Sequence, residues 1–215
     1  MSPETLLNIS LIILFLPALS FGFLVFFGKR LGKKSGIIGT SVLGIELLLS
    51  LVVAITRLTK YSTDAMFQYK IEWFNLGNSP VTIGIGLDNL AAIMLIIVTL
   101  ISFLVHLFSI EYMRGDKLFS RYFAYLSLFS FSMLGIVIAN NFLNMFIFWE
   151  MVGISSYLLI GFWFEKDSAA NAGKKAFIVN RIGDFGFLIG LMIIFYTYKT
   201  FMFDSVFGQI SQGTL

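Results

Sequence analysis

A handful of ionisable side chains stand inside runs of residues that are otherwise apolar. Glu150 lies in Phe146-Ile147-Phe148-Trp149-Glu150-Met151-Val152-Gly153, and Arg181 and Asp184 lie in Asn180-Arg181-Ile182-Gly183-Asp184. A charge at the centre of a bilayer costs at least about 2.5–3.5 kcal/mol, so charges placed there are held by one another or by water and mark ion pathways. A glutamate is too short to snorkel from mid-helix to the interface. Such a carboxylate suits the uptake and release of protons. Arg181 and Asp184 are three residues apart, which puts them on one face of a helix. Arginine stays protonated, so a Glu150–Arg181–Asp184 cluster between two adjacent helices would hold its carboxylates ionised until something moves. The trio conducts protons or pins two helices together, and the sequence leaves both readings open.

Weaker candidates surround it. Glu46, between Ile45 and Leu47, faces a partner subunit, meets a polar side chain or carries a proton. His106, in Val105-His106-Leu107, is a hydrogen-bonded packing residue or a relay. Lys175, beside Lys174, sets topology or extends toward Arg181. Asp88 opens a helix, where a carboxylate suits the positive end of the macrodipole.

The elements that position these groups follow from composition. The 215 residues are 58% hydrophobic and 13% charged, with mean hydropathy +0.89. A soluble domain has about 45–50% apolar and about 25% charged residues. The apolar residues come in blocks of about 20, enough to cross a bilayer, rather than in the stripes of a soluble bundle. The expectation is an all-α polytopic membrane protein with one transmembrane domain over 1–215. About six helices are expected, near 5–28, 36–58, 88–111, 120–139, 142–164 and 175–198. Between the second and third, Phe67, Tyr69, Ile71 and Trp73 alternate with polar residues, and Val81, Ile83, Ile85 and Leu87 alternate after Leu76-Gly77-Asn78-Ser79-Pro80. That pattern predicts a β-hairpin at about 66–87 on the outer surface.

Lys and Arg gather in the first, third and fifth connections, as in Lys29-Arg30-Leu31-Gly32-Lys33-Lys34. The positive-inside rule then puts those loops in the cytoplasm and the N-terminus outside. The start has no basic n-region, so the first helix reads as retained rather than as a signal peptide. The end, Ser211-Gln212-Gly213-Thr214-Leu215, reads as a polar outer stretch. The net charge of +3 is placed for topology and not for nucleic acid. There is no cysteine for an iron–sulfur cluster or a Cys-type zinc site, and the one histidine cannot build a metal centre alone. Gly186-x-x-x-Gly190 permits close helix approach.

From Leu87 to about Phe203 the chain closely resembles the large antiporter-like subunit of respiratory complex I, subunit L in bacteria and chain 5 in mitochondria. The matching pieces are Leu87-Asp88-Asn89-Leu90, Val105-His106, Tyr112-Met113-Arg114-Gly115-Asp116 and Arg121-Tyr122-Phe123-Ala124-Tyr125. They continue through Trp149-Glu150-Met151-Val152-Gly153, Ser156-Tyr157-Leu158-Leu159-Ile160-Gly161-Phe162, Lys175-Ala176-Phe177 and Arg181-Ile182-Gly183-Asp184. The resemblance implies proton translocation coupled to NADH oxidation by quinone. It makes Glu150 an essential intramembrane carboxylate with Arg181 and Asp184 in its polar network. It also implies an N-terminal part of a longer subunit, with the usual lysine partner of the glutamate beyond Leu215. The expected partners are lipid and other complex I membrane subunits, especially other antiporter-like ones. No cofactor is expected in this chain; NADH, FMN, iron–sulfur clusters and quinone are expected in partner subunits. The expected location is a bacterial cytoplasmic membrane. The large subunit of a multisubunit sodium/proton antiporter shares the Trp-Glu and Arg-x-Gly-Asp motifs and is the alternative. More distant ones are a subunit of a membrane hydrogenase or inorganic-carbon transporter, and a structural scaffold.

Overall fold

The computed structural model describes residues 1–77 and 79–213. Asn78 of the expected turn, and Thr214 and Leu215 of the expected polar end, lie outside the described residues. In chain order the elements are α1 (Pro3–Leu31), α2 (Lys34–Lys60), β1 (Phe67–Leu76), β2 (Ser79–Leu87), α3 (Asn89–Tyr112), α4 (Phe119–Val137), α5 (Phe142–Ile160), α6 (Asp167–Tyr198) and α7 (Phe203–Gln212).

Among the described residues five helices, α1, α2, α3, α5 and α6, are long and apolar enough to cross a membrane. α4 has the same 19 residues as α5 but is diluted by Arg121 and four serines. It sits between α1 and α5, and its serines Ser127, Ser130 and Ser132 turn back onto carbonyls of their own helix. Side-chain hydroxyls satisfied in this way are compatible with a span.

Helices α1–α4 form a four-helix unit. α5 lies against α4, and α6 lies outermost against α5. Starts and stops are written locally. The Ser2 hydroxyl accepts from Thr5 N at 3.2 Å, and Pro3 occupies the first turn. The Asp88 carboxylate caps α3 by accepting from Ala91 N at 2.6 Å. Gly32, at φ 53°, makes the tight turn from α1 to α2. One apolar core joins Leu6, Ile13, Val53, Leu95, Leu134 and Ile138 near the hairpin. A second, with Leu24, Met113, Phe119, Phe123 and Phe162, fills the Lys/Arg-rich end.

The hairpin pairs antiparallel from Phe67 with Leu87 to Leu76 with Ser79, with an irregularity between Glu72 and Phe74. Gly77, at φ 62°, begins its turn. An isolated hairpin is marginal in water, and this one is latched down. Gly86 N donates to Ile138 O at 2.7 Å. Asn144 Nδ2 donates to Gly84 O at 2.7 Å and Asn141 Nδ2 to Thr82 O at 3.0 Å. Arg57, 1% exposed, donates to the carbonyls of Tyr61, Asp64 and Ala65 and lies over the Phe67 ring.

Two elements differ from the sequence expectation. α6 begins at Asp167 and not near 175. Ala169, Ala170 and Ala172 are strong helix formers, and only Gly161–Lys166 remains as the connection. The stretch after residue 198 contains α7, whose Val206 is buried and whose Phe203 stacks edge-on against Phe142 at 4.6 Å.

Candidate functional site: an intramembrane charge cluster

α5 and α6 run antiparallel with a steady register. Gly161 meets Gly173, Tyr157 meets Phe177, Gly153 meets Arg181 and Phe146 meets Phe187. That register carries the three charged side chains to one place. Glu150 is eight residues into the 19-residue α5, close to its centre. Arg181 Nη1 forms an ion pair with Glu150 Oε2. The same Nη1 lies 3.6 Å from Asp184 Oδ2. Trp149 Nε1 donates to the other Asp184 oxygen at 3.0 Å, and Asp184 is 6% exposed.

The guanidinium is thus shared between two carboxylates, and its carbon sits 4.8 Å above the Phe177 ring. Its Nε and Nη2 have no hydrogen-bond partner among the described residues. Donors remain for a further acceptor. The small residue at 153 makes room, because a Cβ there would lie 3.3 Å from Arg181 Nη2. The arrangement can hold two carboxylates ionised, or release one of them to take a proton when the guanidinium shifts toward the other.

The remaining candidates lie elsewhere. Lys175 is exposed and makes no ion pair or hydrogen bond to the cluster. Six residues separate it from Arg181, which turns it to a different face of α6. Glu46 and His106 are both 0% exposed inside the α1–α4 unit, not between α5 and α6. Glu46 therefore faces its own chain and not a partner subunit. His106 Nδ1 lies 2.9 Å from Ser102 O, and its ring tilts against Phe123 at 5.8 Å. Among the described residues no three His, Cys, Asp or Glu side chains group as a metal site requires.

Sequence reasoning missed the Trp149 donor, Arg57 and the Asn140-Asn141-Asn144 latch. Trp149 was legible only as part of a motif. Arg57 sits at a helix end, where an arginine reads as an interface charge. The asparagines carry no charge to mark them, although three amides in five residues between two spans indicate a backbone that needs partners.

The profile described as NADH-Ubiquinone oxidoreductase (complex I), chain 5 N-terminus, matches residues 73–123. The profile described as NADH:quinone oxidoreductase/Mrp antiporter, TM, matches residues 139–214. The chain is 40% identical over 174 residues to the chloroplastic NAD(P)H-quinone oxidoreductase subunit 5 of Chlorokybus atmophyticus, covering 81% of this chain and 26% of that protein. It is 38% identical over 191 residues to NAD(P)H-quinone oxidoreductase chain 5 of Synechocystis sp., covering 87% of this chain and 28% of that one. The chain spans about a quarter of the length of the curated relatives it matches. A chain of the archaeal membrane-bound sulfane sulfur reductase complex shares the fold, with TM-score 0.74 and 21% identity over 92% of this chain and 39% of that one. The first profile falls on the hairpin, α3 and the start of α4, the second on the helices that carry the cluster, and the chain belongs to the chain 5 family of the NADH:quinone oxidoreductases.

Proposed function

We propose that this chain serves as a proton-translocating membrane subunit of an NADH:quinone oxidoreductase, with Glu150 taking up and releasing protons under the control of Arg181 and Asp184. The observation that carries this reading is the sharing of one guanidinium between carboxylates on two helices. While Arg181 faces Glu150, the glutamate charge is compensated and the proton stays off. When Arg181 moves toward Asp184, the Glu150 charge loses its partner and a proton from a water-lined path replaces it. The return of the guanidinium expels that proton. Redox chemistry elsewhere biases the exchange through the electrostatic field, which acts strongly at low dielectric.

In this reading the chain holds no redox centre. NADH, FMN, iron–sulfur clusters and quinone belong to partner subunits, and other antiporter-like subunits lie beside it in the membrane. The Lys/Arg-rich end, with Lys29, Arg30, Lys33, Lys34, Arg114 and Lys117, faces the cytoplasm of a bacterial inner membrane, and the N-terminus and hairpin face outward. A second reading is the large subunit of a multisubunit sodium/proton antiporter. The second profile's description, which names both kinds of protein, favours it.

The test is Glu150→Gln in the full-length chain within its purified, reconstituted complex. Assembly is retained, and proton translocation driven by NADH oxidation falls at least tenfold. Undiminished pumping would defeat the role of Glu150. Sodium/proton exchange without NADH oxidation selects the antiporter.

A further inference from the structure

We propose that Glu46 is a second proton-holding site, and that with His106 it forms a buried polar line through the α1–α4 unit, separate from the Glu150 cluster. Glu46 is 0% exposed, and neither carboxylate oxygen has a hydrogen-bond partner among the described residues. It lies on the inward stripe of α2, which runs Gly39, Thr40, Leu43, Glu46 and Ser50.

Two contacts bracket it. Toward the Lys/Arg-rich end, a Cβ at Gly39 would sit 3.5 Å from the rings of both His106 and Phe123. Toward the hairpin end, the Ser50 hydroxyl meets the Thr99 hydroxyl at 2.8 Å. At about 1.5 Å of rise per residue, Glu46 lies roughly 10 Å along α2 from the first contact and roughly 6 Å from the second.

A carboxylate without hydrogen bonds in apolar surroundings costs several kcal/mol. A proton on the carboxyl group removes that charge. No facing cation replaces it. Among the described residues α3 turns one titratable side chain to this interior, His106. α1 and α4 contribute Ser20, Ser127 and Ser130 and no buried charge. The nearest buried charge on α2 is Arg57, already held by three carbonyls near the hairpin.

The histidine is oriented for a relay. The Ser102 carbonyl can only accept, so Nδ1 carries the hydrogen of the neutral ring, and the Nε2 lone pair is open. Among the described residues Nε2 has no partner, nor do the hydroxyls of Thr40 and Ser109. The rise along α2 sets His106 and Glu46 roughly 10 Å apart, a gap that a chain of water molecules starting at the Thr40 level would bridge. A proton taken by Nε2 passes along that line to a Glu46 oxygen, leaving a neutral ring and a neutral carboxyl group.

Infrared difference spectroscopy tests this on the assembled complex with the full-length chain. The carbonyl stretch of a protonated carboxyl group is present, Glu46→Gln deletes it, Glu46→Asp displaces it and Glu150→Gln leaves it in place. That last variant separates this site from the Glu150 reading, because the band reports Glu46 whether or not Glu150 pumps. If Glu46→Gln does not assemble, Glu46→Asp carries the test. A spectrum in which neither variant alters such a band overturns the proposal. Displacement of the band by sodium at fixed pH overturns it in favour of a sodium site. The relay also requires that Glu46→Gln or His106→Gln lower proton flux threefold or more at unchanged thermal stability. Unaltered flux in both overturns the line.

Discussion

At the residue scale, the decisive feature is how few groups hold the Arg181 guanidinium. It contacts two carboxylates and one ring face, and Trp149 fixes the far carboxylate. Trp149→Phe removes one hydrogen bond to a charged acceptor, worth about 1.5–3 kcal/mol. The expected result is a several-fold loss of proton translocation with the helix content intact, measured by flux and circular dichroism. Arg181→Lys is expected to behave almost as badly as Arg181→Ala, because the shorter lysine loses the reach of Nη1 to both carboxylates and has no planar group to lie over the Phe177 ring. A lysine variant that pumps at the original rate refutes the shared-guanidinium argument. Glu150, Arg181 and Asp184 were legible in the sequence because hydrocarbon forbids lone charges, so each needed a partner at its own depth. Glu46 was only half legible. Its depth was clear, but which way α2 turns it depends on the packing of four helices, which no local pattern encodes.

At the element scale, close packing depends on small residues facing large ones. Gly135 of α4 lies directly against the Phe148 ring of α5, so an added Cβ would overlap it. Gly135→Ala therefore displaces α5, which carries Glu150, and overpacking of this kind costs about 1–3 kcal/mol. The expected outcome is a lower melting temperature together with reduced pumping. Phe148→Leu in the same chain restores part of both. The hairpin makes a contrasting case. Asn144→Ala leaves the Gly84 carbonyl without its donor, and hydrogen exchange at 79–87 is expected to rise while exchange in α1–α3 is unchanged. The hairpin and its alternation were readable from period two. Its anchoring was not, since the donors come from a turn about 60 residues later. The early start of α6 was misread because Lys174, Lys175 and Gly173 look like a loop, whereas they lie on a helix that already began among alanines. α7 was missed because ten residues with one buried position give too short a pattern to separate from a polar tail.

At the scale of the whole molecule, the question is whether α4 crosses the membrane, since its hydropathy alone does not place it with the other five helices. The ends answer it. Trp163 Nε1, in the α5–α6 connection, donates to Asp116 Oδ2, in the α3–α4 connection, at 2.9 Å. The two connections therefore share one face, so with α5 as a span α4 crosses as well. These 215 residues contain no cysteine, so a thiol introduced among them is read against the unsubstituted protein as the control. Lys33→Cys, Lys117→Cys and Lys166→Cys are expected to react with a membrane-impermeant maleimide from one side only. Lys70→Cys on β1 is expected to react only from the other. Were α4 to lie on the surface, Lys117 and Lys166 would label from opposite sides. Oriented vesicles then decide the sign. Labelling of the three helix-connection thiols from the cytoplasmic side agrees with the basic loops being retained there. Labelling from outside would invert the proposed orientation and place the N-terminus and the hairpin in the cytoplasm.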